Sequence, residues 1–153
     1  MLLSWLAARV IRYVMARARA GEIKPTLLLD APDVRFVFPG DNSWSGSYAG
    51  RESHQRWLER LVRVGVKTEP DEVVATGWPW RTTVCIRGRS WYDTPAGERI
   101  YDNRFVIWGH LSWGRLKDYE VYEDTIKPRE LDAFLARADS PDAGSRAGAS
   151  ALA

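Results

Sequence analysis

Apolar residues recur at spacings of three and four from Leu3 through Leu6 and Val10 to Tyr13 or Val14, while Arg9, Arg12 and Arg19 fall largely off that stripe. This period predicts an amphipathic helix over residues 2–20, with Ser4 as candidate cap and Ala20-Gly21 as its end. A short second helix follows, opened by Lys24-Pro25 and carrying Leu27, Leu28 and Leu29 on its apolar side. Asp30-Ala31-Pro32-Asp33 reads as a turn, and Val34-Arg35-Phe36-Val37-Phe38 as a strand stopped by Pro39-Gly40-Asp41-Asn42. A loop rich in Gly and Ser runs to Gly50. Residues 51–64 return to a helical pattern, with Trp57, Leu58, Leu61 and Val62 on the buried stripe and Glu52 in the first turn.

Two strands come next, over residues 66–77 and 81–92, separated by Trp78-Pro79-Trp80. Thr94-Pro95-Ala96-Gly97-Glu98 is a tight turn. Residues 101–125 then form the densest aromatic stretch, rich in β-branched residues and broken once, at Ser112-Trp113-Gly114. It reads as a long hairpin, which needs further strands and a covering layer to be stable. Pro128 opens a last helix bearing Leu131, Phe134 and Leu135, and from Asp139 the composition turns to Ala, Ser, Gly, Pro and Asp without apolar period. One domain over residues 1–138 with a disordered tail over 139–153 is the expectation. Helices first and strands afterwards predict an α+β fold, a curved and mostly antiparallel sheet wrapped around the N-terminal helices with a short C-terminal helix. The mouth of such a cone admits a small molecule.

Composition narrows the function classes. The 153 residues suffice for one core. Eight tryptophans are more than such a core needs, and large amphipathic rings often line pockets or interfaces. A net charge of +2, with Arg scattered among Asp and Glu, argues against a nucleic-acid partner. The single Cys85 excludes an internal disulfide and suits a cytoplasmic location. The apolar opening is interrupted by Arg9 and Arg12, too short to span a membrane and without the marks of a signal peptide. His54 and His110 lie at no metal-ligand spacing, and the glycines before the 51–64 helix match no phosphate-binding fingerprint, so neither metal nor cofactor is expected.

Strand alternation puts Tyr101, Asn103, Phe105, Ile107, Gly109 and Leu111 on the more apolar face of the first hairpin arm, the face assigned to a cavity. Asn103 is then a buried amide that must find partners, either as a ligand handle or as a strut to the loop over residues 40–48. On the second arm the cavity set is either Tyr119, Val121 and Glu123 or Glu120, Tyr122 and Asp124. A buried Glu120 or Glu123 has a raised pKa and can serve as a base. His54, one turn before Leu58, is a candidate ligand contact; His110 belongs with the outer face. Trp44 and Tyr48 suggest a lid over the mouth, and Trp57, Trp78, Trp80 and Trp91 an aromatic wall.

The order of elements and several motifs resemble the SnoaL-like branch of the nuclear transport factor 2-like superfamily, over about residues 2–135. The motifs are Ala20-Gly21-Glu22, the strand from Asp33 to Gly40, Gly46-x-Tyr48-x-Gly50-Arg51-Glu52, Tyr101-Asp102-Asn103, and Gly114-Arg115-Leu116 ahead of a tyrosine-bearing last strand that ends at Asp124. The resemblance implies a cone with an apolar cavity and a homodimer formed through the outer sheet face. It does not carry a reaction across. Ketosteroid isomerases, which are similar through the first strand, place an Asp base where this chain has Phe38. Their second acid falls at Phe105, Ile107 or Gly109, and only Tyr13 stands for their oxyanion tyrosine. Against limonene epoxide hydrolase, Arg87 matches the arginine, but Arg89 and Val121 occupy the places of its two acids. The reading is therefore a binder of an apolar or polycyclic small molecule through Tyr13, Trp44, Tyr48, His54, Trp57, Arg87, Asn103, Phe105 and Tyr119. The alternatives are an isomerase, cyclase or hydrolase acting on a polyketide-, steroid- or terpene-like substrate through Tyr13, Asn103, Tyr119 or Glu123, and a non-catalytic dimeric module.

Overall fold

Three long strands and three shorter ones curl around the helices in the computed structural model, which describes residues 2–138; the expected tail over 139–153 lies outside the described residues. The chain runs α1 (Leu2–Arg19), α2 (Lys24–Leu29), β1 (Asp30–Phe38), β2 (Gly46–Ala49), α3 (Arg51–Val64), β3 (Lys67–Trp78), β4 (Arg81–Asp93), β5 (Arg99–Ser112), β6 (Arg115–Glu123) and α4 (Ile126–Ala138). The strands form one sheet in the order β2-β1-β6-β5-β4-β3. All neighbours are antiparallel except β1 and β6, which run parallel. This is the expected α+β architecture.

Four local expectations change. α1 begins at Leu2, so Ser4 lies inside the helix. Asp30 to Asp33 is the opening of β1 and not a turn. Pro32 has no N–H to give a ladder, and it sits between Asp30 and Arg35, where the register with β6 shifts and no regular bond is needed. The loop before α3 contains an edge strand, β2, whose Gly46 to Ala49 pair with Phe38 to Arg35. Its Ser and Gly content hid it, because backbone pairing with β1 holds it more than side-chain propensity does. α4 starts two residues before Pro128, which stands in the first turn where a missing N–H costs nothing.

The curvature has a local cause at Gly88. A Cβ there would lie 2.3 Å from the Glu69 carbonyl oxygen and 2.7 Å from the Phe105 ring. The β3–β4 register shifts at the same place, between Pro70 and Glu72. Glycine and bulge together let β3 fold over β4 so that the sheet closes on α1. Ile11 of α1 packs there with Phe38, Val73, Val84, Ile86, Phe105 and Val121 in the main core. A second, smaller core at the far end joins Val66, Tyr101 and Leu131, the last from α4.

Candidate functional site

The concave side of the sheet does not fill completely. A hollow of about 200 Å³ remains between α1, α3 and the sheet, walled by Ile11, Val14, Trp57, Ile86, Phe105 and Val121 among others. The alternation on β5 buries Tyr101, Asn103, Phe105 and Gly109 while Asp102 and Arg104 face out. On β6 it is Tyr119, Val121 and Glu123 that turn inward, so the choice left open by periodicity falls on that set.

Two polar groupings interrupt the apolar wall. The first links three elements. His54 of α3 is 1% exposed, and its Nδ1 lies 2.8 Å from Oδ2 of Asp30, which opens β1 and is 0% exposed. The imidazole Nε2 lies 2.9 Å from the Tyr119 hydroxyl on β6. A carboxylate accepts, so Nδ1 carries the proton it donates to Asp30, and in the neutral imidazole Nε2 is left to accept from Tyr119. Arg51 donates to the Asp30 carbonyl at 2.6 Å, and Asp30 Oδ1 has no hydrogen-bond partner among the described residues. Phe36 stacks on Tyr119 at 5.1 Å and on Tyr48 at 4.5 Å, with the His54 ring 5.0 Å away, and so fixes the ring positions from behind. Gly109 lies opposite Tyr119 on β5, where a Cβ would come within 2.8 Å of the tyrosine's own Cβ. Burial, with the Asp30 charge adding to it, holds the Tyr119 hydroxyl well above its ordinary value. It stays a neutral phenol.

The second grouping lies further along β6. Glu123 is pushed up to about 7, first by burial and then by the Asp124 charge, with the Tyr101 hydroxyl opposing. One of its oxygens, Oε1, has no partner among the described residues. Tyr101, pushed up to about 12 by burial and by the Glu123 charge, shares a 3.0 Å hydrogen bond with Ser90. The hollow thus has a proton-bearing group at each of two places, separated by the apolar Val121.

The sequence-derived candidates divide. His54, Trp57, Phe105, Tyr119, Glu123 and Trp44 all border the hollow. Tyr13 does not: Ile11, Val14 and Met15 take the inward phase of α1, which leaves Tyr13 58% exposed. Arg87 is on the outer face, paired with Glu72 at 3.3 Å. Asn103 is buried, yet its amide donates to the Asp124 carbonyl at 2.9 Å and accepts from the Arg104 N–H. It is a strut to the end of β6 and not to the preceding loop. Tyr48 stands behind Phe36, its hydroxyl donating to the Trp44 carbonyl at 2.8 Å. Trp44 is buried, and its loop is pinned. Ser43 donates twice to Asp132 of α4, and Arg60 donates to the Ser43 carbonyl at 2.5 Å while its guanidinium covers the Trp44 ring at 4.0 Å. Trp44 is wall, not flap. Trp78 and Trp80 stack on each other in the open, and Trp91 lies under Arg99. His110 pairs with Asp118 on the outer face at 2.7 Å.

Asp30 is the residue that sequence reasoning missed. A carboxylate set between Leu29 and Ala31 at the entry of an apolar strand was the available signal. The Pro32-Asp33 pair that follows made the segment look like a turn.

Among the described residues no group of His, Cys, Asp and Glu is arranged to hold a metal ion, and no helix is long and apolar enough to cross a membrane. No family profile and no curated protein sequence matches the chain. Solved structures do match. An NTF2-like protein of unknown function from Burkholderia pseudomallei K96243 is 18% identical over 82% of this chain and 96% of its own, with a TM-score of 0.68. Bal32a, from a soil-derived mobile gene cassette, is 21% identical over 84% of this chain and 98% of its own, with a TM-score of 0.71. TerC, co-crystallised with polyporic acid, is 22% identical over 78% of this chain and 92% of its own, with a TM-score of 0.61. At these identities the likeness is one of fold: the chain has the cone fold of the NTF2-like superfamily.

Proposed function

We propose that this chain is a SnoaL-like small-molecule-binding protein whose ligand occupies the hollow between α1, α3 and the sheet. The observation that carries the reading is the hollow itself, about 200 Å³, apolar in its walls and bordered by the polar side chains of His54, Tyr119 and Glu123. Ligand sites are built in this way, with apolar surface for affinity and a few polar groups for orientation. Size narrows the ligand class. An apolar cavity of about 150 Å³ accommodates benzene, so this one takes a single substituted ring or a terpene-sized molecule. A polycyclic ligand requires the wall to open. TerC, which shares the fold, was crystallised with polyporic acid, and this supports the cone as a place for small organic molecules.

Trp44 and Trp57 in the wall provide the readout. Limonene, 4-nitrophenol and a steroid form a size series for titration against intrinsic fluorescence. Saturable quenching by the first two and a weaker response to the steroid are expected, with both lost in Val84→Phe, which fills the hollow. No saturable change with any of the three, in a protein that remains folded, overturns the reading.

A second reading, a dimeric interaction module without a ligand, draws on the outer sheet face. Val74, Cys85 and Trp108 lie side by side across β3, β4 and β5, with Val74 and Trp108 about half exposed. A homodimer through this face is part of both readings. Light scattering on Trp108→Arg tests it: conversion to monomer supports the interface, and an unchanged mass removes it.

A further inference from the structure

We infer that Asp30, His54 and Tyr119 form a proton relay that ends at the Tyr119 hydroxyl, and that the ligand it serves is a one-ring or terpene-sized phenol or enol. This rests on the binding reading above and adds chemistry to it. Both imidazole nitrogens are already engaged, Nδ1 by Asp30 at 2.8 Å and Nε2 by Tyr119 at 2.9 Å, so a ligand reaches the imidazole only through the tyrosine oxygen. Tyr119 borders the hollow and uses its proton toward His54, which leaves lone-pair capacity on its oxygen for a ligand O–H.

The transfer balances without any further reactant. A ligand O–H gives its proton to the Tyr119 oxygen, and the tyrosine's own proton moves to His54 Nε2. The products are a ligand oxyanion hydrogen-bonded to a neutral Tyr119 and an imidazolium held against the Asp30 carboxylate. Run backwards, the same path protonates an enolate oxygen. No electrons change hands. The neutral phenol at Tyr119 is what the path requires, because a phenolate there would have no proton to pass on. Tyr119 is the catalytic group, and His54 and Asp30 act through it.

The groups that face the imidazole are few: Asp30 from β1, Tyr119 from β6, and Arg51 on its own helix, whose guanidinium is turned to the Asp30 carbonyl. Phe36 covers one side of the ring. A purely structural brace would need the same two hydrogen bonds, so the test must read proton position and not stability.

4-Nitrophenol supplies it, since its ionisation is visible in its absorption spectrum and it is one ring in size. With the protein in excess, at a pH where the free phenol is largely neutral, the relay acidifies the bound phenol by about tenfold or more, one pH unit. That acidification disappears in Tyr119→Phe and in His54→Gln and is reduced in Asp30→Asn, each read on the bound fraction so that changes in affinity do not enter. A bound phenol that stays as neutral as in water leaves the binding reading intact and overturns the relay. Equal acidification in Tyr119→Phe also overturns it and assigns the proton to another group of the wall. No binding of 4-nitrophenol to the wild type overturns the relay's ligand class, while the binding reading stands or falls with the three-ligand series. Where a variant does not fold, ¹⁵N resonances of the wild-type imidazole decide: Nε2 moves toward its protonated position on adding the phenol, and an unmoved Nε2 overturns the proposal.

Discussion

Replacing Glu123 by Gln keeps the shape of a protonated carboxyl and removes its ability to ionise. In the native wall the carboxyl is raised from 4.5 to about 7, by burial first and by the neighbouring Asp124 charge second. The folded protein therefore binds more protons here than the unfolded chain does between those two values, and stability falls as pH rises through that window. Below pH 4.5 both states are protonated and the group costs nothing; above pH 7 the buried carboxylate exerts its full penalty. At ~1.4 kcal/mol for each factor of ten in proton affinity, the penalty comes to about 3 kcal/mol. Glu123→Gln is accordingly expected to match the wild type near pH 4.5 and to exceed it by about 2–3 kcal/mol at pH 8. Urea unfolding at a series of pH values, followed by tryptophan fluorescence, measures both proteins directly. The curve that matters is the difference between them. A difference that is flat from pH 4.5 to pH 8, or one that grows toward acid, refutes the placement of Glu123 as a buried carboxyl of the wall.

Three further outcomes follow from packing. Phe36 is 1% exposed and stacks on both Tyr48 and Tyr119, so Phe36→Ala is expected to cost about 3–5 kcal/mol in chemical unfolding. A loss well under 1 kcal/mol would show that the ring stack is not native packing. At Gly88, where a Cβ meets the Glu69 carbonyl at 2.3 Å, Ala is expected to destabilise by about 1–3 kcal/mol because backbone and not a flexible side chain must yield; calorimetry reads it as a lowered Tm. Leu131 is the 2% exposed anchor of α4, and Leu131→Ala is expected to cost about 2–5 kcal/mol. The same change should open residues 126–138 to limited proteolysis before the sheet yields.

The sheet was legible because its strands obey alternation over long runs. β5 shows its buried face in Tyr101, Asn103, Phe105 and Gly109 without help from any neighbour. β6 was not decidable alone, since Tyr119-Val121-Glu123 and Glu120-Tyr122-Asp124 carry similar mixtures of ring and acid. Only pairing with β5 distinguishes them: Gly109 makes room for Tyr119, and Phe105 stands opposite Glu123. The site was half visible. His54 and Tyr119 were among the candidates, but their connection was not, because it depends on Asp30, and Asp30 is placed by a parallel pairing that leaves no local pattern. Tyr13 and Arg87 entered through likeness to relatives, and the phase of α1 and the alternation of β4 turn them away from the hollow.

The parallel seam between β1 and β6 bears on how the molecule assembles. Phe36 pairs with Tyr119 across 83 positions of sequence (119 − 36), whereas β3 through β6 are joined as successive hairpins. Loop closure over such a span is slow relative to hairpin zipping, so the four-stranded meander forms first and β1 docks onto its exposed edge afterwards. Asp30 and Phe36 arrive with that strand. During refolding, ellipticity from the meander should therefore recover ahead of the environment of Trp57, which packs on Phe36 and Phe38 of β1. Completion of the hollow becomes a late kinetic event, and a chain caught before it is a folded sheet with nowhere to hold a ligand.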